Sequence, residues 1–426
     1  MQKDPKQNEI VELLNYLSSA DEIFCSRGLI GGAGTGVARL RFPLHLAHAC
    51  AVNPSTSFRM NRFISLRVGA LASLLGFLPF SAAAADHHLR SIPANMVWGY
   101  FSADTPAVMM IKSGESVEID TVSLGGISDA NPEQFFIDHG LSLDDPAVKE
   151  SIAIKKEVKS LGIKGHMMTG PIFIEGAEPG DTLEVRVLDI KSRLPYGMNS
   201  GGPGRGGIPD AVPRPYQKYI PLDLTRNVAK FSETIEVPLK HFQGVMAVAP
   251  TADRGKLPSG PPYPDIGGNF DNKHLGKGAT IYLPVQVAGA LFHVGDPHAA
   301  QGNGEVSISA VESANTVTMQ FIVHKDMKIK APLAETATHY IVMGLDVELS
   351  TAMHKAILAS IDFLKENKKL DFFDALALCS VAVDFEVTQV VDGTKGIHAM
   401  IPKSLFKDGS VASYWYNPNP ALTAAK

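Results

Sequence analysis

The sequence predicts a mainly β protein with a small α component, arranged in β-sandwich-like lobes with its helices toward the C-terminus. Two observations lead to this fold class. Short apolar runs with an alternating pattern recur between turn residues through most of the chain, and sustained helical periodicity begins only near residue 350. The chain of 426 residues is long enough for one large core or for two fused β lobes.

The first strands are indicated by two segments with the same strand–turn–strand pattern. Residues 108–124 contain two apolar runs joined by a turn with glycine, and residues 170–190 repeat this pattern around a Pro-Gly turn. In the second segment Val185 alternates with Glu184 and Arg186, as expected for a strand with one buried face. Each segment therefore predicts a β-hairpin.

Two segments near these strands depart from the β pattern. Residues 144–151 begin Asp-Asp-Pro, which predicts a helix with Asp at its cap and Pro in its first turn. Residues 195–215 are rich in Gly and Pro. We therefore predict that this second segment is a surface loop or a lid without regular structure.

The rest of the chain predicts further strands and two helices. Pro284 interrupts a strongly apolar run, which predicts one strand or two short strands broken at that residue. An apolar stripe that includes Met353, Ile357 and Leu364 predicts an amphipathic helix. In chain order, the predicted elements are strands over residues 280–292, 305–312 and 316–324, helices over residues 350–364 and 371–381, and a strand over residues 385–391.

Residues 60–85 predict a secretory signal peptide. A positive start with Arg62 and Arg67 precedes an apolar core over residues 68–80, and a small-residue cleavage site ends at Ala85. A short membrane anchor is the alternative, but the apolar run is shorter than the ~20 residues that a bilayer span needs. We therefore expect a periplasmic or secreted protein.

Residues 1–59 form a doubtful leader upstream of this signal, with a patchwork composition and no sustained period. We predict that Met60 is the true start and that the leader is disordered or a misassigned reading frame. The folded domain is then expected over residues 86–426, with Asp86 as the N-terminal residue of the mature protein.

Cysteine content and charge limit the class of protein. Cys25 and Cys50 lie in the doubtful leader, so an internal disulfide is not expected in the mature chain, which keeps only Cys379. A thiolate nucleophile at Cys379 is a rival chemistry, but its apolar helical setting favours a buried structural role. The net charge of −5 and the lack of a Lys/Arg run argue against a nucleic-acid partner.

Residues 267–312 hold the densest set of possible site residues. Acidic, amide and imidazole side chains alternate there with Gly and Pro, which let the backbone turn sharply. A divalent ion in a hydrolytic site needs anionic oxygens, neutral imidazole and an open position for water. The side chains concerned are those of Asp271, His293, Asp296, His298, Gln301, Asn303 and Glu305.

We predict that Asp271, Asp296 and His298 bind a divalent metal ion, and that the ion is zinc rather than calcium. His298 together with Glu305 is more than calcium requires, because calcium is bound by oxygen atoms. The alternative for the two aspartates is that they only stabilise turns. His293 follows an apolar run and is predicted to be a packed strand histidine.

Three residues are predicted to be catalytic. A partly buried carboxylate with a raised pKa can take a proton from water and later return it, which suits Glu305 or Glu175. His166 is predicted to act as an acid or a ligand. The alternatives are a solvated strand end for Glu305 and a loop histidine for His166.

Six motifs occur in the same order as in a known family. The motifs are His166–Ile172, Glu175–Asp181, Gly267–Asp271, Gly295–His298 with Gln301–Glu305, Met343–Asp346 and Gln389–Gly393. On these motifs the chain resembles the acetamidase/formamidase family. The resemblance spans residues 93–406, which is nearly the whole predicted mature chain.

The resemblance implies an amidohydrolase that cleaves the C–N bond of a small linear or cyclic amide, such as formamide or acetamide, to a carboxylate and ammonia. It also implies a mainly β fold, a homo-oligomer, and a divalent metal near the acidic motifs. Asn303 departs from the family, which usually has an acid there. The alternative function is a non-catalytic exported β-module that binds a small ligand or a structural calcium.

Overall fold

Residues 84–407 are described by the computed structural model, and they lie within one compact unit of the chain. The predicted leader over residues 1–59, and the predicted signal peptide up to residue 83, lie outside the described residues. No helix in the described part is long and apolar enough to cross a membrane.

The described residues form many strands and a few helices. The strands are β1 (His87–Leu89), β2 (Met96–Trp98), β3 (Tyr100–Phe101), β4 (Met109–Lys112), β5 (Ser116–Val122), β6 (Met167–Glu175), β7 (Thr182–Ser192), β8 (Tyr196–Gly201), β9 (Tyr216–Asp223), β10 (Val228–Lys230), β11 (Glu236–Pro238), β12 (Phe242–Ala247), β13 (Leu257–Pro258), β14 (Pro262–Tyr263), β15 (Gly267–Asn269), β16 (Thr280–Pro284), β17 (Phe292–Ala300), β18 (Val311–Glu312), β19 (Ala314–His324), β20 (Leu333–Glu335), β21 (His339–Asp346), β22 (Asp384–Gln389) and β23 (Lys395–Pro402). The helices are α1 (Pro132–Asp138), α2 (Pro146–Glu157), α3 (Leu349–Lys368) and α4 (Phe372–Ala382).

Two large sheets organise these strands. Sheet 1 has nine strands in the order β1-β5-β19-β7-β16-β20-β21-β23-β22 among the described residues. Sheet 2 has twelve strands: the path β11-β10-β9-β8-β18-β17-β12-β15-β14, and a branch in which β6 pairs with β17, β2 and β4. A small separate pair joins β3 to β13. The predicted mainly β fold is confirmed.

The main hydrophobic core lies between the inner faces of the two sheets. Val185 and Phe321 enter it from sheet 1, and Phe292 and Val294 enter it from sheet 2. The rings of Phe292 and Phe321 meet edge to face with centroids 5.1 Å apart. Alternating strand residues therefore seal the two sheets together, which is the packing of a β-sandwich.

The two predicted hairpins are wrong in their pairing, although their strands exist. β4 pairs with β6 in sheet 2, whereas β5, which follows directly, pairs with β1 and β19 in sheet 1. Likewise β6 belongs to sheet 2 and β7 to sheet 1. Each strand–turn–strand segment is therefore a connection between the sheets. Local alternation predicts strands, but partners far away in the sequence decide which sheet each one joins.

The C-terminal helices cover the outer face of sheet 1, as the helical periodicity predicts. Ile361 and Leu364 of α3 pack with Tyr340 of β21 in one buried cluster. At Gly344 a Cβ atom would lie 2.1 Å from the carbonyl oxygen of Ala352, so α3 can rest directly on β21 only over glycine.

The other local predictions have mixed outcomes. The predicted helix start is confirmed, because the Asp145 carboxylate caps α2 by accepting from the amides of Ala147 and Val148. The predicted loop over residues 195–215 in fact contains β8. The predicted strand over residues 305–312 is irregular except for β18.

Candidate active site

β17 lies at the centre of sheet 2 and carries two of the predicted site residues. All nine of its residues are buried, and it pairs with β12, β6 and β18. Asp296 and His298 are two positions apart on it, and His298 lies opposite Phe242 of β12 and Glu312 of β18. The middle of the sheet thus brings an imidazole and two carboxylates together.

Three predicted site acids adopt a backbone conformation that side chains rarely tolerate. The φ angles are 49° at Asp271, 55° at Asp296 and 43° at Glu305. Such left-handed residues cost of order 1–2 kcal/mol each and persist where the surrounding structure fixes them, which is common at functional sites. Asp adopts this region more readily than Glu, so Glu305 is the position that local propensity explains least.

The His298 ring is fixed by a short chain of hydrogen bonds. The side-chain amide of Gln301 donates to the backbone oxygen of Asp271 over 2.7 Å. This orients the Gln301 Oε1 atom toward Nδ1 of His298, 2.9 Å away, where it accepts the Nδ1–H. Nδ1 is thereby occupied, so Nε2 is the ring nitrogen that faces the neighbouring carboxylates, as in a metal-binding histidine.

Carboxylates surround that nitrogen. Nε2 of His298 lies 3.2 Å from Asp296 Oδ2, 3.3 Å from Glu312 Oε1 and 4.0 Å from Glu305 Oε1. Nevertheless Nε2 is buried and has no hydrogen-bond partner among the described residues. A buried nitrogen without a hydrogen-bond partner is uncommon in folded proteins. One that faces three carboxylates indicates a place where a cation can bind.

Carboxylate oxygens of Asp271 and Asp296 also come close together over Gly244 of β12. A Cβ atom at Gly244 would be 2.3 Å from Asp271 Oδ1 and 2.4 Å from Asp296 Oδ2, so only glycine leaves room for both carboxylates. Asn269 donates to Asp271 Oδ2 over 2.6 Å and to Asp392 Oδ2 over 3.1 Å. The Oδ1 atom of Asp271 is buried without a hydrogen-bond partner in the described part of the chain.

We call Asp271, Asp296, His298, Glu305, Glu312 and Asp392 the catalytic cluster. No Lys or Arg of the described residues forms an ion pair with any of its five acids. Burial, and then the charge of Asp271, raise the pKa of Glu305 well above its usual range. Burial opposes ionisation of Asp296 too, but His166 and His298 hold its pKa well below the usual range.

His166 extends this arrangement toward solvent. Its Nδ1 atom lies 3.1 Å from Asp296 Oδ1, and its side chain is 28% exposed, whereas Asp296 is buried. Burial alone would lower the pKa of His166, but the charge of Asp296 and its hydrogen bond raise that pKa to about 9. His166 is therefore an imidazolium at neutral pH when the cluster holds no other cation.

The structure brings together five of the six predicted site residues but not Glu175. Glu175 is the exposed last residue of β6, whereas His166 precedes its first residue. A strand rises ~3.3 Å per residue, so about 26 Å separate the two ends of this nine-residue strand. The structure thus places Glu175 away from the other five residues and favours Glu305 of the two predicted bases.

Other members of the site were given no role in the prediction, although Gln301 was among the possible site residues. Asn269, Gln301 and Asp392 lie within motifs that carry the family resemblance, so their motifs were the available signal. Glu312 is near His298 only because β18 pairs with β17, which the sequence does not reveal. Glu312 replaces Glu175 as the additional carboxylate of the cluster.

The alternatives weighed from sequence can also be placed. His293 is packed edge to face against Phe101, and burial lowers its pKa to about 4, as expected for a core histidine. Cys379 is buried in α4, and burial raises the pKa of its thiol. Asn303 donates to Glu386 and does not touch the catalytic cluster.

A cavity of about 570 Å³ reaches the cluster at Glu305. Gln301 and Glu305 line it on one side. Apolar side chains from the β9–β11 region, including Ile220, Phe231 and Val237, line another part. The cavity therefore offers a small organic molecule both an apolar wall and access to a carboxylate of the cluster.

Fold and site together define a β-sandwich protein with a buried carboxylate–imidazole cluster whose residues could hold a metal ion. Two groups in this cluster, Asp271–His298–Glu305 and Asp296–His298–Glu312, have ligand atoms close enough for one ion. The chain belongs to the Acetamidase/Formamidase family, whose profile matches residues 94–256 and 259–408.

Three similar proteins illustrate this membership. A protein of Schizosaccharomyces pombe, provisionally assigned as a formamidase, is 24% identical over 288 residues, which are 54% of this chain and 65% of its own length. The formamidase of Methylophilus methylotrophus is 23% identical over 335 residues, or 62% of this chain and 77% of its own. The structure of a predicted acetamidase/formamidase from Thermoanaerobacter tengcongensis superposes with a TM-score of 0.63 at 26% identity, and covers 76% of this chain and 98% of its own.

These similarities test the predicted family, fold and enzyme class. The predicted family is confirmed, and the predicted fold agrees with a solved structure of that family. The matched part of this chain spans just under two thirds of the S. pombe relative. The enzyme class predicted from the motifs, an amidase, agrees with the family.

Proposed function

We propose that this protein is an amidohydrolase that cleaves the C–N bond of a small non-peptide amide to a carboxylate and ammonia. Family membership supports the reaction class. The observation that carries the proposal is the unpartnered Nε2 atom of His298, which faces the carboxylates of Asp296, Glu305 and Glu312 beside a cavity. This arrangement provides a cation site and a proton acceptor next to a space for substrate.

The donor atoms around His298 fit a divalent ion. A tetrahedral zinc ion with bonds of about 2.0–2.1 Å has ligand atoms about 3.4 Å apart. The separations of 3.2 Å and 3.3 Å from Nε2 to Asp296 and Glu312 are close to that value. When bound, such an ion would polarise an amide carbonyl and lower the pKa of water toward ~7. We propose zinc rather than calcium, because a buried imidazole nitrogen is a donor that zinc prefers.

Glu305 is the proposed acid–base residue. An amide resists water because resonance weakens its carbonyl as an electrophile and its nitrogen as a leaving group. Glu305 lines the cavity, and its raised pKa suits a carboxylate that takes a proton from the attacking water. The nitrogen must gain a proton before it leaves as ammonia, and Glu305 can return the one it took.

His166 is a second proposed proton donor. Asp296 holds its Nδ1 atom, so Nε2–H remains as the donor on the partly exposed side of the ring. The charge of Asp296 and its hydrogen bond favour the protonated ring. Asp296 therefore has two tasks, because it orients His166 and also faces His298.

A non-catalytic module with structural calcium is the competing function. Calcium takes 6–8 oxygen ligands and is usually saturated by them. In this cluster a buried imidazole nitrogen faces the carboxylates, and one of those carboxylates lines a cavity. These two features favour the enzyme.

The test is ammonia release from a panel of amides. The full chain is incubated with formamide, acetamide, larger aliphatic and aromatic amides and a lactam, before and after removal of metal with a chelator. We expect ammonia from at least one amide, loss of most activity after chelation, and recovery with added zinc. Absence of ammonia with every amide, in protein shown to contain metal, would overturn the proposal. Full activity in protein shown to be free of metal would refute the metal-assisted mechanism.

We further propose that the protein is exported, with Asp86 as its mature N-terminus. The apolar run over residues 68–80 and the cleavage site at Ala85 support export. β1 begins at His87, and the Asp86 carboxylate accepts from the amide of Ser116, so the proposed N-terminal residue lies against β5. N-terminal sequencing of the native protein tests this, and a mature chain that begins near residue 2 would refute it.

The family resemblance also supports a homo-oligomer. We propose this assembly for the folded domain over residues 86–426. Light scattering during size-exclusion chromatography measures the mass directly, and a monomer at working concentration would contradict the proposal.

A further inference from the structure

A second group of potential metal ligands lies beside the catalytic cluster but outside it. It consists of His274, which follows β15 in a turn, Glu386 on β22 and His398 on β23. Glu386 and His398 lie directly opposite each other in the antiparallel ladder. One ligand atom from each of the three residues lies within 4.8 Å of the others.

Both imidazoles turn the same nitrogen toward the same oxygen. The Nε2 atoms of His274 and His398 each lie 3.5 Å from Glu386 Oε2, beyond the usual 2.7–3.2 Å of such hydrogen bonds. His398 is completely buried. Neither nitrogen has a hydrogen-bond partner among the described residues. A buried polar atom left unpaired costs about 1–3 kcal/mol, so two such atoms facing one carboxylate point to a bound ligand.

A metal ion accounts for these distances. Ligand atoms on a tetrahedral ion with bonds of about 2.0–2.1 Å are about 3.4 Å apart. Thr388 Oγ1 lies 2.7 Å from Nδ1 of His398 and fixes the ring with Nε2 toward Glu386.

We propose that His274, Glu386 and His398 form a second site for a divalent transition-metal ion, with zinc as the favoured ion. Two imidazole nitrogens and one carboxylate oxygen are a ligand set that zinc commonly takes, with a fourth position for water. Asn303 donates its side-chain N–H to the same Glu386 Oε2 atom and so helps to orient the carboxylate.

The site has a positional role, because its ligands share chain segments with acids of the catalytic cluster. The backbone amide of Gly304 donates to Thr388 O over 3.0 Å, and the amide of Val390 donates back to Gly304 O over 3.1 Å. An ion would reinforce this junction and hold the acids in place without touching substrate. The residues that share a segment are His274 with Asp271, Asn303 with Glu305, and Glu386 and His398 with Asp392.

Zinc stoichiometry tests the second site independently of amidase activity. Zinc bound to the full chain is measured by equilibrium dialysis and elemental analysis for the unsubstituted protein and for His274→Asn and His398→Asn. We expect each variant to bind one equivalent fewer than the unsubstituted protein. His339→Asn changes a histidine of β21 outside the site and should bind as much zinc as the unsubstituted protein.

The outcome that overturns the proposal is equal zinc binding by His274→Asn and the unsubstituted protein, or no zinc bound by either. His274 gives the decisive variant, because it lies in a turn, whereas His398 is fully buried and its loss could prevent folding.

A thermal readout separates the second site from the catalytic cluster. Zinc should raise the Tm of Asp296→Asn, whose second site is intact, and should raise it less when His274→Asn is added, because an ion bound only by the folded state stabilises it. Equal shifts would contradict the second site. Loss of ammonia release by Asp296→Asn bears only on the proposed function.

Discussion

Two buried acidic regions of this molecule differ in the partners that their carboxylates have. In the first, which we call the ion-paired network, Glu150 of α2 and Asp120 of β5 are bound by Arg90 and Arg193. Ser91 adds a hydrogen bond to Glu150 over 3.1 Å. In the catalytic cluster, by contrast, four of the five acids lie within 4.0 Å of a nitrogen of His298, and none of the five forms an ion pair with a Lys or Arg of the described part of the chain.

One buried glutamate from each region, Glu150 and Glu305, shows pKa shifts in opposite directions. Burial opposes ionisation in both, but hydrogen bonds and charge from Arg193 and Arg90 bring the pKa of Glu150 below its usual value. Burial and the neighbouring Asp271 charge leave the pKa of Glu305 well above its usual value. Burial of an acid therefore does not distinguish a structural role from a functional one, whereas the nature of its partners does.

The backbone supports the same distinction. Asp271, Asp296 and Glu305 have positive φ angles, but neither acid of the ion-paired network does. Glu150 lies within a regular helix and Asp120 within a regular strand. Of the two regions, only the catalytic cluster has acids with a positive φ, which agrees with a requirement other than stability.

The largest expected effect is on catalysis, from Asp296→Asn. The change removes the carboxylate that faces both His166 and His298, and we expect kcat/KM for ammonia release to fall about 10³- to 10⁴-fold, or roughly 4–5.5 kcal/mol. The fold should survive, because Asn tolerates a positive φ and the loss of a charge relieves repulsion among the acids.

The measurements are ammonia release and urea unfolding of the same preparation. Asp189→Asn is a matched control, since this partly exposed acid is paired with Lys277 and is outside both regions. Activity within tenfold of the unsubstituted protein would show that Asp296 is not part of the reaction, and the comparison of the two regions would fail.

A substitution in the ion-paired network should lower the stability of the fold and leave catalysis nearly unchanged. Glu150→Gln removes the charge that pairs with Arg193, which is itself mostly buried, and should cost about 2–3 kcal/mol of unfolding free energy. The kcat of the folded protein should stay within about twofold, because Glu150 does not contact the catalytic cluster. A loss of kcat without loss of stability would refute the assignment.

The loss of unfolding free energy in Glu150→Gln is also expected to depend on pH. A carboxyl whose folded pKa is depressed contributes stability above its unfolded pKa of ~4.3, and this contribution is lost as pH falls through the folded pKa. The free-energy difference between the unsubstituted protein and Glu150→Gln should therefore be constant from pH 7 to about 5.5 and shrink below about 4.5. Urea unfolding across that range measures it, and a difference that grows on acidification would give the wrong sign.

The sequence predicts the strands and helices of this fold better than their arrangement. β7, β19 and α3 follow from alternation or helical periodicity, because these signals lie within each segment. The crossing from β4 to β5 does not follow, because it depends on β6 and β19, which are distant in the chain. A short turn with glycine is compatible with a hairpin and with a connection between sheets.

The same limit applies to the site. Asp271, Asp296, His298 and Glu305 lie in one short segment, so their convergence could be predicted from local turns. Glu312 becomes a neighbour of His298 through the pairing of β18 with β17. Asp392 reaches the cluster near a bridge between Gly304 and Gln389, and Glu175 is excluded by the direction in which β6 runs. These outcomes depend on contacts between distant segments.

The smallest expected effect is that of Cys379→Ala. Cys379 is a buried ionisable residue that belongs to neither acidic region. Cys379 packs with Ile361 and Tyr340 on the outer side of sheet 1, and burial raises the pKa of its thiol, so it stays neutral. We expect a loss of about 1 kcal/mol in unfolding free energy for the removed sulfur and a kcat/KM within about twofold. A loss near a thousandfold would show that Cys379 of α4 is the nucleophile. The catalytic cluster would then have no role in the reaction, since a thiolate mechanism needs neither its acids nor its ion.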